Sequence, residues 1–277
     1  MLVFPNCKIN IGLTVIGRRI DGYHDIETIF YPVNLRDALE ILPASKTLFT
    51  QSGIIVDSGP DDNLCTRAYR LLKADFPQIP HLTIHLHKAI PIGAGLGGGS
   101  ADAAFTLMAL NEKFKLNLSY EKLLSYALQL GSDCPFFILN KPCLSTGRGE
   151  ILQPLPVSLT GYRLVLVHPA IHINTGWAFS QLNTANREIS PQQRKGLLQL
   201  LVAKSIDDWK DTIFNEFEWP IFAKYPAIGF IKSTLYDKGA LFASMSGSGS
   251  TVYAIFANDA TPTFDFPSNY LIHQVLL

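Results

Sequence analysis

Cysteine is scarce in this chain and scattered along it: Cys7, Cys65, Cys134 and Cys143, with no C-x-x-C pair. That spacing excludes a disulfide framework and a cysteine-based zinc site, and it suits a reducing cytoplasm. Net charge is absent too, with 23 Lys+Arg against 23 Asp+Glu. No global field draws the chain to nucleic acid or an anionic membrane, so an anionic ligand must be held by local geometry. Also missing is any apolar run approaching the ~18 residues of a membrane span. Residues Met1 to Asn10 lack the basic start and apolar core of a signal peptide. The expectation is a cytoplasmic protein with neither nucleic-acid nor membrane partners, acting on a small phosphorylated molecule.

What is present describes a globular chain. Its 277 residues, 47% hydrophobic and 17% charged, suffice for one large domain or two ordinary ones. Ile9, Ile11, Leu13 and Val15 alternate with polar neighbours, which predicts a half-buried strand with Lys8 and Asn10 together on its non-core face. After the turn at Asp21-Gly22, residues 23–31 can return as a paired strand. Residues 39–42 read as a short strand, while the stretch up to Gly59 is too mixed to assign. Asp61, Asp62 and Asn63 offer an N-cap for a helix with Leu64, Ala68, Leu71 and Leu72 on one face. Leu82, Ile84 and Leu86 mark another strand, whose opposite face carries His81, His85 and His87. These histidines have no acidic or cysteine companion, so a solvated face explains them better than a metal.

Ser119 and Gly131 bracket a helix, and the proline-bearing stretch 147–161 suggests a boundary between residues 1–153 and 154–277. Beyond it, 162–167 reads as a strand, 184–195 as a polar connection, and 206–217 and 228–236 as helices. Residues 241–256 form a strand–loop–strand unit. Strands and helices mix without a regular βαβ repeat, so the fold class is α+β.

The most informative segment is Pro91-Ile92-Gly93-Ala94-Gly95-Leu96-Gly97-Gly98-Gly99-Ser100. Five glycines fall within the seven residues 93–99, ahead of an alanine-rich helix marked by Ala101, Ala104, Phe105 and Met108. Without Cβ atoms, successive backbone N–H groups can converge on a phosphate, and the helix start adds its unpaired N–H groups. Ser100 can cap that helix or offer its hydroxyl to phosphate-bound Mg²⁺. A plain structural turn is the alternative, but a turn rarely needs so many glycines. The dinucleotide spacing is met at Gly93, Gly95 and Gly98, yet no strand ending in an acidic residue follows. A P-loop would need lysine where Gly99 stands, and the V-A-I-K, H-R-D and D-F-G set is missing.

Pro91-x-Gly93-x-Gly95-Leu96-Gly97-Gly98-Gly99-Ser100-Ala101 resembles the phosphate-binding motif of the GHMP kinase superfamily. Further blocks match in order: Cys7-Lys8-Ile9-Asn10-Ile11, Asp21-Gly22-Tyr23-His24, Gly131-Ser132-Asp133-Cys134-Pro135 and Ser246-Gly247-Ser248-Gly249-Ser250-Thr251. Together they span residues 7 to about 256 and are most similar to the branch that phosphorylates 4-diphosphocytidyl-2-C-methyl-D-erythritol.

The resemblance implies an N-terminal domain like the second domain of ribosomal protein S5 and a ferredoxin-like C-terminal domain. It implies ATP with Mg²⁺, transfer to the 2-hydroxyl of a cytidine-diphosphate-bearing acceptor, and a monomer or weak homodimer. By residue, it implies Asp133 as catalytic base and Lys8 beside it. Read locally, Asp133 is equally a helix cap and Lys8 a solvated strand lysine. ATP is assigned to Asn63, whose local reading is a cap, and to Pro91, Ile92, Gly93, Ala94, Gly95, Leu96, Gly97, Gly98, Gly99, Ser100 and Ala101. The acceptor is assigned to Asn10, Tyr23, His24, Phe179, Ser246, Gly247, Ser248, Gly249 and Thr251, with Trp177 as the alternative to Phe179 against the base. The competing readings are a homoserine or mevalonate kinase of the same superfamily and a nucleotide-binding regulator without catalysis.

Overall fold

The structure, a computed structural model, describes residues 1–54, 59, 62–182, 196–197 and 205–277. The expected polar connection at 184–195 lies outside the described residues. The first half of the chain supplies β1 (Leu2–Val3), β2 (Asn6–Arg18), β3 (His24–Arg36), β4 (Ala38–Pro43) and β5 (Leu48–Gly53). Then come α1 (Leu64–Asp75), β6 (Leu82–Lys88), α2 (Gly98–Lys113), α3 (Tyr120–Leu130) and α4 (Cys134–Leu139). The second half supplies β7 (Cys143–Thr146), β8 (Ile151–Pro154), β9 (Tyr162–His168) and α5 (Thr175–Ser180). A 3₁₀ turn (Ile206–Asp211), α6 (Glu218–Lys224), α7 (Pro226–Asp237), β10 (Phe242–Met245), β11 (Val252–Ala257) and β12 (Leu271–Leu276) complete it. The mixed order is α+β.

Backbone packing gathers the chain into two compact units that interleave in sequence. One comprises Met1–Cys7, Asn34–Ile92 and Gly97–Lys141, the other Lys8–Val33, Gly93–Leu96 and Pro142–Leu277. In the first, the sheet runs β1-β4-β6-β5, antiparallel except for the parallel β5–β6 pair. Helix α2 packs against α1, α3 and α4. In the second, one sheet has the order β2-β3-β7-β8 and another the antiparallel order β10-β11-β9-β12. The core beneath the latter joins Val165, Val167, Phe217, Ile221, Ile228, Ile231, Leu235 and Met245. Each such apolar side chain, fully buried, contributes ~1.5–3 kcal/mol.

Several local expectations are met for the stated reasons. Asn63 caps α1, its side chain accepting from the Cys65 N–H at 2.9 Å. Ser119 caps α3 in the same way, through the Lys122 N–H. The strand–loop–strand unit appears as β10 and β11.

Others are corrected. Lys8 and Asn10 are 3% and 2% exposed, so β2 is buried on both faces rather than half-buried. Helix α2 starts at Gly98 with a left-handed Gly97 as its cap residue, so Ser100 lies inside the first turn and is not the cap. The buried face of α1 is Cys65, Thr66, Ala68, Tyr69 and Leu72, leaving Leu64 and Leu71 half-buried. Residues 206–217 hold only a 3₁₀ turn, because the chain at Phe214 to Glu216 runs extended beside Leu13. Strands β5 and β12 had no clear pattern in the sequence; both lie at sheet edges.

Candidate active site

In the second unit, the start of β2 meets two glycine loops. Lys8 N–H donates to the Leu96 carbonyl at 3.0 Å, and the Thr251 N–H reaches the Ala94 carbonyl at 3.2 Å. Ser246 Oγ donates to the Gly95 carbonyl at 2.7 Å and accepts from the Asn10 N–H at 3.2 Å. Gly95 has φ +78°, and a Cβ built there would sit 1.9 Å from the Ser246 carbonyl oxygen. Only glycine permits both the backbone angle and the approach. From the other side, Asn215 Nδ2 donates to the carbonyls of Met245 and Gly247, fixing the 246–251 loop. Tyr253 hydroxyl donates to the Asn10 carbonyl at 2.9 Å.

Lys8 is buried, so its ammonium needs partners. Its Nζ donates to Asn10 Oδ1 at 2.5 Å and lies 4.7 Å above the Phe30 ring. Asn10 Nδ2 in turn donates to Thr28 Oγ1 at 3.0 Å, and the Thr28 hydroxyl donates to the Gly12 carbonyl at 2.6 Å. This chain orients the amide so that its oxygen faces the ammonium. Nothing local in the sequence marks Thr28, Asn215 or Tyr253, whose partners Gly12, Gly247 and Asn10 lie 16 or more residues away.

The aromatic residues gather in the same unit. His24 stacks on Phe179, with centroids 4.6 Å apart and planes at 12°. Phe179 also meets Phe217 edge-on. Trp177 is engaged elsewhere, under Lys224 and against Tyr225. Burial, aided by the Arg18 charge, holds the His24 imidazole below its ordinary pKa. Tyr23 is 54% exposed, with the Arg148 guanidinium over its ring. Ser248 Oγ lies 3.0 Å from Thr175 Oγ1.

In the first unit, Asp133 occupies the N-cap position of α4 but makes no side-chain capping bond. Gly97, Gly98, Gly99, Ser100 and Ala101 form the cap and first turn of α2, where unpaired N–H groups are concentrated. A Cβ at Gly99 would meet nothing closer than Leu64 Cδ1 at 3.6 Å, an ordinary contact. Fold packing therefore does not require glycine there, whereas a phosphate resting on the backbone would. A cavity of about 230 Å³ lies beside this turn, lined by residues that include Asn63, Ile92 and Gly99. Because Asn63 Oδ1 is used by the cap, its Nδ2 remains as the group able to donate. Pro91 and Ile92 lead into the glycines, with Ile92 exposed.

Among the described residues no three metal-capable side chains cluster. His81, His85 and His87 are instead hydrogen-bonded to the hydroxyls of Thr47, Thr50 and Ser52. The donor set at α2 is backbone N–H with one hydroxyl, Ser100, which is paired with Cys134. That set fits an ion carried in on phosphates, as Mg²⁺ usually is, and not a protein cage.

Comparison with known proteins agrees with this arrangement. The family model "GHMP kinases N terminal domain" matches residues 63–141, and "GHMP kinases C terminal" matches residues 197–264. A protein of Azobacteroides pseudotrichonymphae named 4-diphosphocytidyl-2-C-methyl-D-erythritol kinase is 50% identical, covering 100% of both chains. One of the same name from Bacteroides fragilis is 48% identical, again over 100% of both. A crystal structure of 4-(cytidine 5'-diphospho)-2C-methyl-D-erythritol kinase superposes with TM-score 0.74 at 31% identity, covering 92% of this chain and 90% of that one. The mevalonate kinase of Methanococcus jannaschii shares the fold, with TM-score 0.70 at 13% identity over 94% and 92% of the two chains. With relatives this similar along its whole length, the chain belongs to the GHMP kinase family.

Proposed function

We propose that the protein transfers the γ-phosphoryl group of ATP to the 2-hydroxyl of 4-diphosphocytidyl-2-C-methyl-D-erythritol, a step of the methylerythritol phosphate route to isoprenoids. The observation that carries the reading is full-length identity of 50% to a relative named for this kinase activity. The site's chemistry is consistent with it. Phosphoryl transfer needs positioning and charge stabilisation more than covalent help. The backbone N–H groups around Gly93 to Ala101 would hold the phosphates, with the start of α2 contributing its dipole.

In the step itself, the acceptor oxygen bonds to the γ-phosphorus as the bond to the β-bridging oxygen breaks. ADP and a phosphate monoester result. Asp133, at the start of α4, would receive the hydroxyl proton. Lys8, oriented by Asn10, would stabilise charge developing on the acceptor oxygen. Mg²⁺ bound to the phosphates would supply further neutralisation, with Ser100 as a candidate ligand. His24, held neutral, can hydrogen-bond a cytosine edge, and Phe179 at its face supports that residue over Trp177 as the stacking partner. Tyr23, Ser246, Gly247, Ser248, Gly249 and Thr251 would complete the acceptor site, and Asn63 the adenine side.

Residues 1–153 would then form the ATP-binding domain and 154–277 the domain completing the substrate site; the two family matches fall on either side of that boundary. No helix among the described residues is long and apolar enough to cross a membrane. A cytoplasmic enzyme is expected. We expect a monomer or weak homodimer, to be checked by sedimentation. The deciding assay offers ATP with 4-diphosphocytidyl-methylerythritol, mevalonate and homoserine in parallel. Preference for either of the last two, or no turnover on any, would overturn the proposal.

A further inference from the structure

Outside the residues already assigned, a buried charge triad spans the two ends of the glycine segment. Asp37, Lys88 and Asp102 are 1%, 2% and 3% exposed. Lys88 Nζ donates to Asp37 Oδ2 and, at 2.8 Å, to Asp102 Oδ2. Asp37 Oδ1 accepts from the N–H groups of Ala89 at 2.6 Å and Ile90 at 2.9 Å. One carboxylate therefore holds the residues that lead into the segment. The lysine it pairs with reaches the first turns of α2, where the segment ends. Gly98 makes this closure possible: a Cβ there would fall 2.8 Å from Ile90 Cγ2 and 3.2 Å from Lys88 Nζ.

Stability alone is a poor explanation for three buried charges, since replacing such groups with apolar ones is often neutral or stabilising. One lysine shared by two carboxylates also leaves negative charge uncompensated. Burial pushes Asp102 above the usual carboxylate range, with Lys88 opposing and Asp37 adding to the rise. For Lys88, burial acts downward, but the two carboxylates outweigh it and the net shift is upward. Asp102 Oδ1 is buried with no hydrogen-bond partner. Asp102 and Lys88 also line the cavity that holds Asn63, Ile92 and Gly99. The unsatisfied oxygen thus belongs to a residue on the wall of the space beside the phosphate cradle.

We propose that Asp37, Lys88 and Asp102 are positioning residues that set the spacing of the two chain ends carrying the phosphate cradle, and that nucleotide binding tightens this clamp. The proposal rests on the reading that the glycine segment holds ATP. It differs from a purely structural role in acting on one substrate only.

Two variants and one wild-type measurement test it. Asp102→Asn keeps an acceptor for Lys88 while removing the charge. The triple variant Asp37→Asn/Lys88→Met/Asp102→Leu removes the ionic network without leaving an unpaired charge. In steady-state kinetics, each folded variant should show KM for ATP raised at least ~10-fold, a loss of ~1.4 kcal/mol in binding. KM for the cytidine acceptor should stay within about twofold of the wild-type value. In the unmodified protein, hydrogen exchange at the amides of Ala89 and Ile90 should slow when ATP is added. A folded variant with wild-type KM for ATP, or both KM values raised alike, overturns the clamp. So does protection confined to residues 93–99 in the unmodified protein. If the unmodified protein shows no ATP turnover at all, the kinase reading itself fails, which is a distinct result.

Discussion

Replacing Gly95 with alanine isolates what the contact between the two glycine loops is worth. The new Cβ would lie 1.9 Å from the Ser246 carbonyl oxygen, 2.8 Å from its carbon and 3.3 Å from the Gly249 nitrogen. Those atoms are backbone, so no rotamer change relieves the overlap. Comfortable contact needs ~3.5 Å, which means separating the loops by roughly 1.5 Å. The left-handed φ of +78° adds a penalty of ~1–2 kcal/mol for a residue with a Cβ. Overpacking adds about 1–3 kcal/mol more. A total of ~2–5 kcal/mol corresponds to a fall in Tm of roughly 3–9 °C for a chain of this size. Separation also strains the Ser246–Gly95 and Thr251–Ala94 hydrogen bonds. A displacement of ~1 Å in a positioning element reduces turnover by about 100-fold. Thermal unfolding and kcat/KM, measured on the same preparation, read both effects. Gly99→Ala is the control, because its Cβ would meet only Leu64 at 3.6 Å. It should leave Tm unchanged or slightly raised while KM for ATP rises. Wild-type Tm and kcat/KM in Gly95→Ala would refute the reasoning.

Further outcomes follow from the same geometry. Lys8→Ala and Asp133→Ala should each lower kcat by ~10²–10⁴-fold while near-native circular dichroism is kept, and near-normal turnover in either would remove that residue from the chemistry. His24 has its pKa held below 6.5, so its neutral form persists through neutral pH, and its contribution is lost as pH falls through the lowered value. Binding of cytidine diphosphate should therefore be level from pH 8 to about 7 and weaken only below about 6.5, a dependence that His24→Asn should flatten. All four cysteines are buried, and burial pushes Cys134 and Cys143 up to about 12. An aromatic disulfide reagent should react with none of them quickly in the native protein and with all four after unfolding; rapid native labelling would contradict the packing.

How much was legible in the sequence depended on whether a residue's partners were local. The glycine segment, the caps at Asn63 and Ser119, and the β10–β11 unit are short-range features, and the structure contains them. Alternation in β2 says only that two faces differ, so it cannot tell that the face of Lys8 and Asn10 is buried as well. Their side chains are covered by Thr28 and Phe30 of the neighbouring strand and by Ser246 from far along the chain. Asp37, Lys88 and Asp102 each look like ordinary surface charges alone, and only the fold brings them together. Strand β5 carries Gln51 where alternation with Phe49 would call for an apolar residue, and Leu48 on its exposed face, so its pattern is blurred; it pairs at a sheet edge.

The identity of the acceptor is read from a single reaction. Purified protein is incubated with ATP, Mg²⁺ and 4-diphosphocytidyl-methylerythritol, and the products are followed by phosphorus NMR. The expected products are ADP and one new phosphate monoester, formed on the 2-hydroxyl, with both signals lost in Asp133→Ala. ADP formation without a phosphorylated cytidine product, or faster transfer to mevalonate or homoserine, would contradict that acceptor.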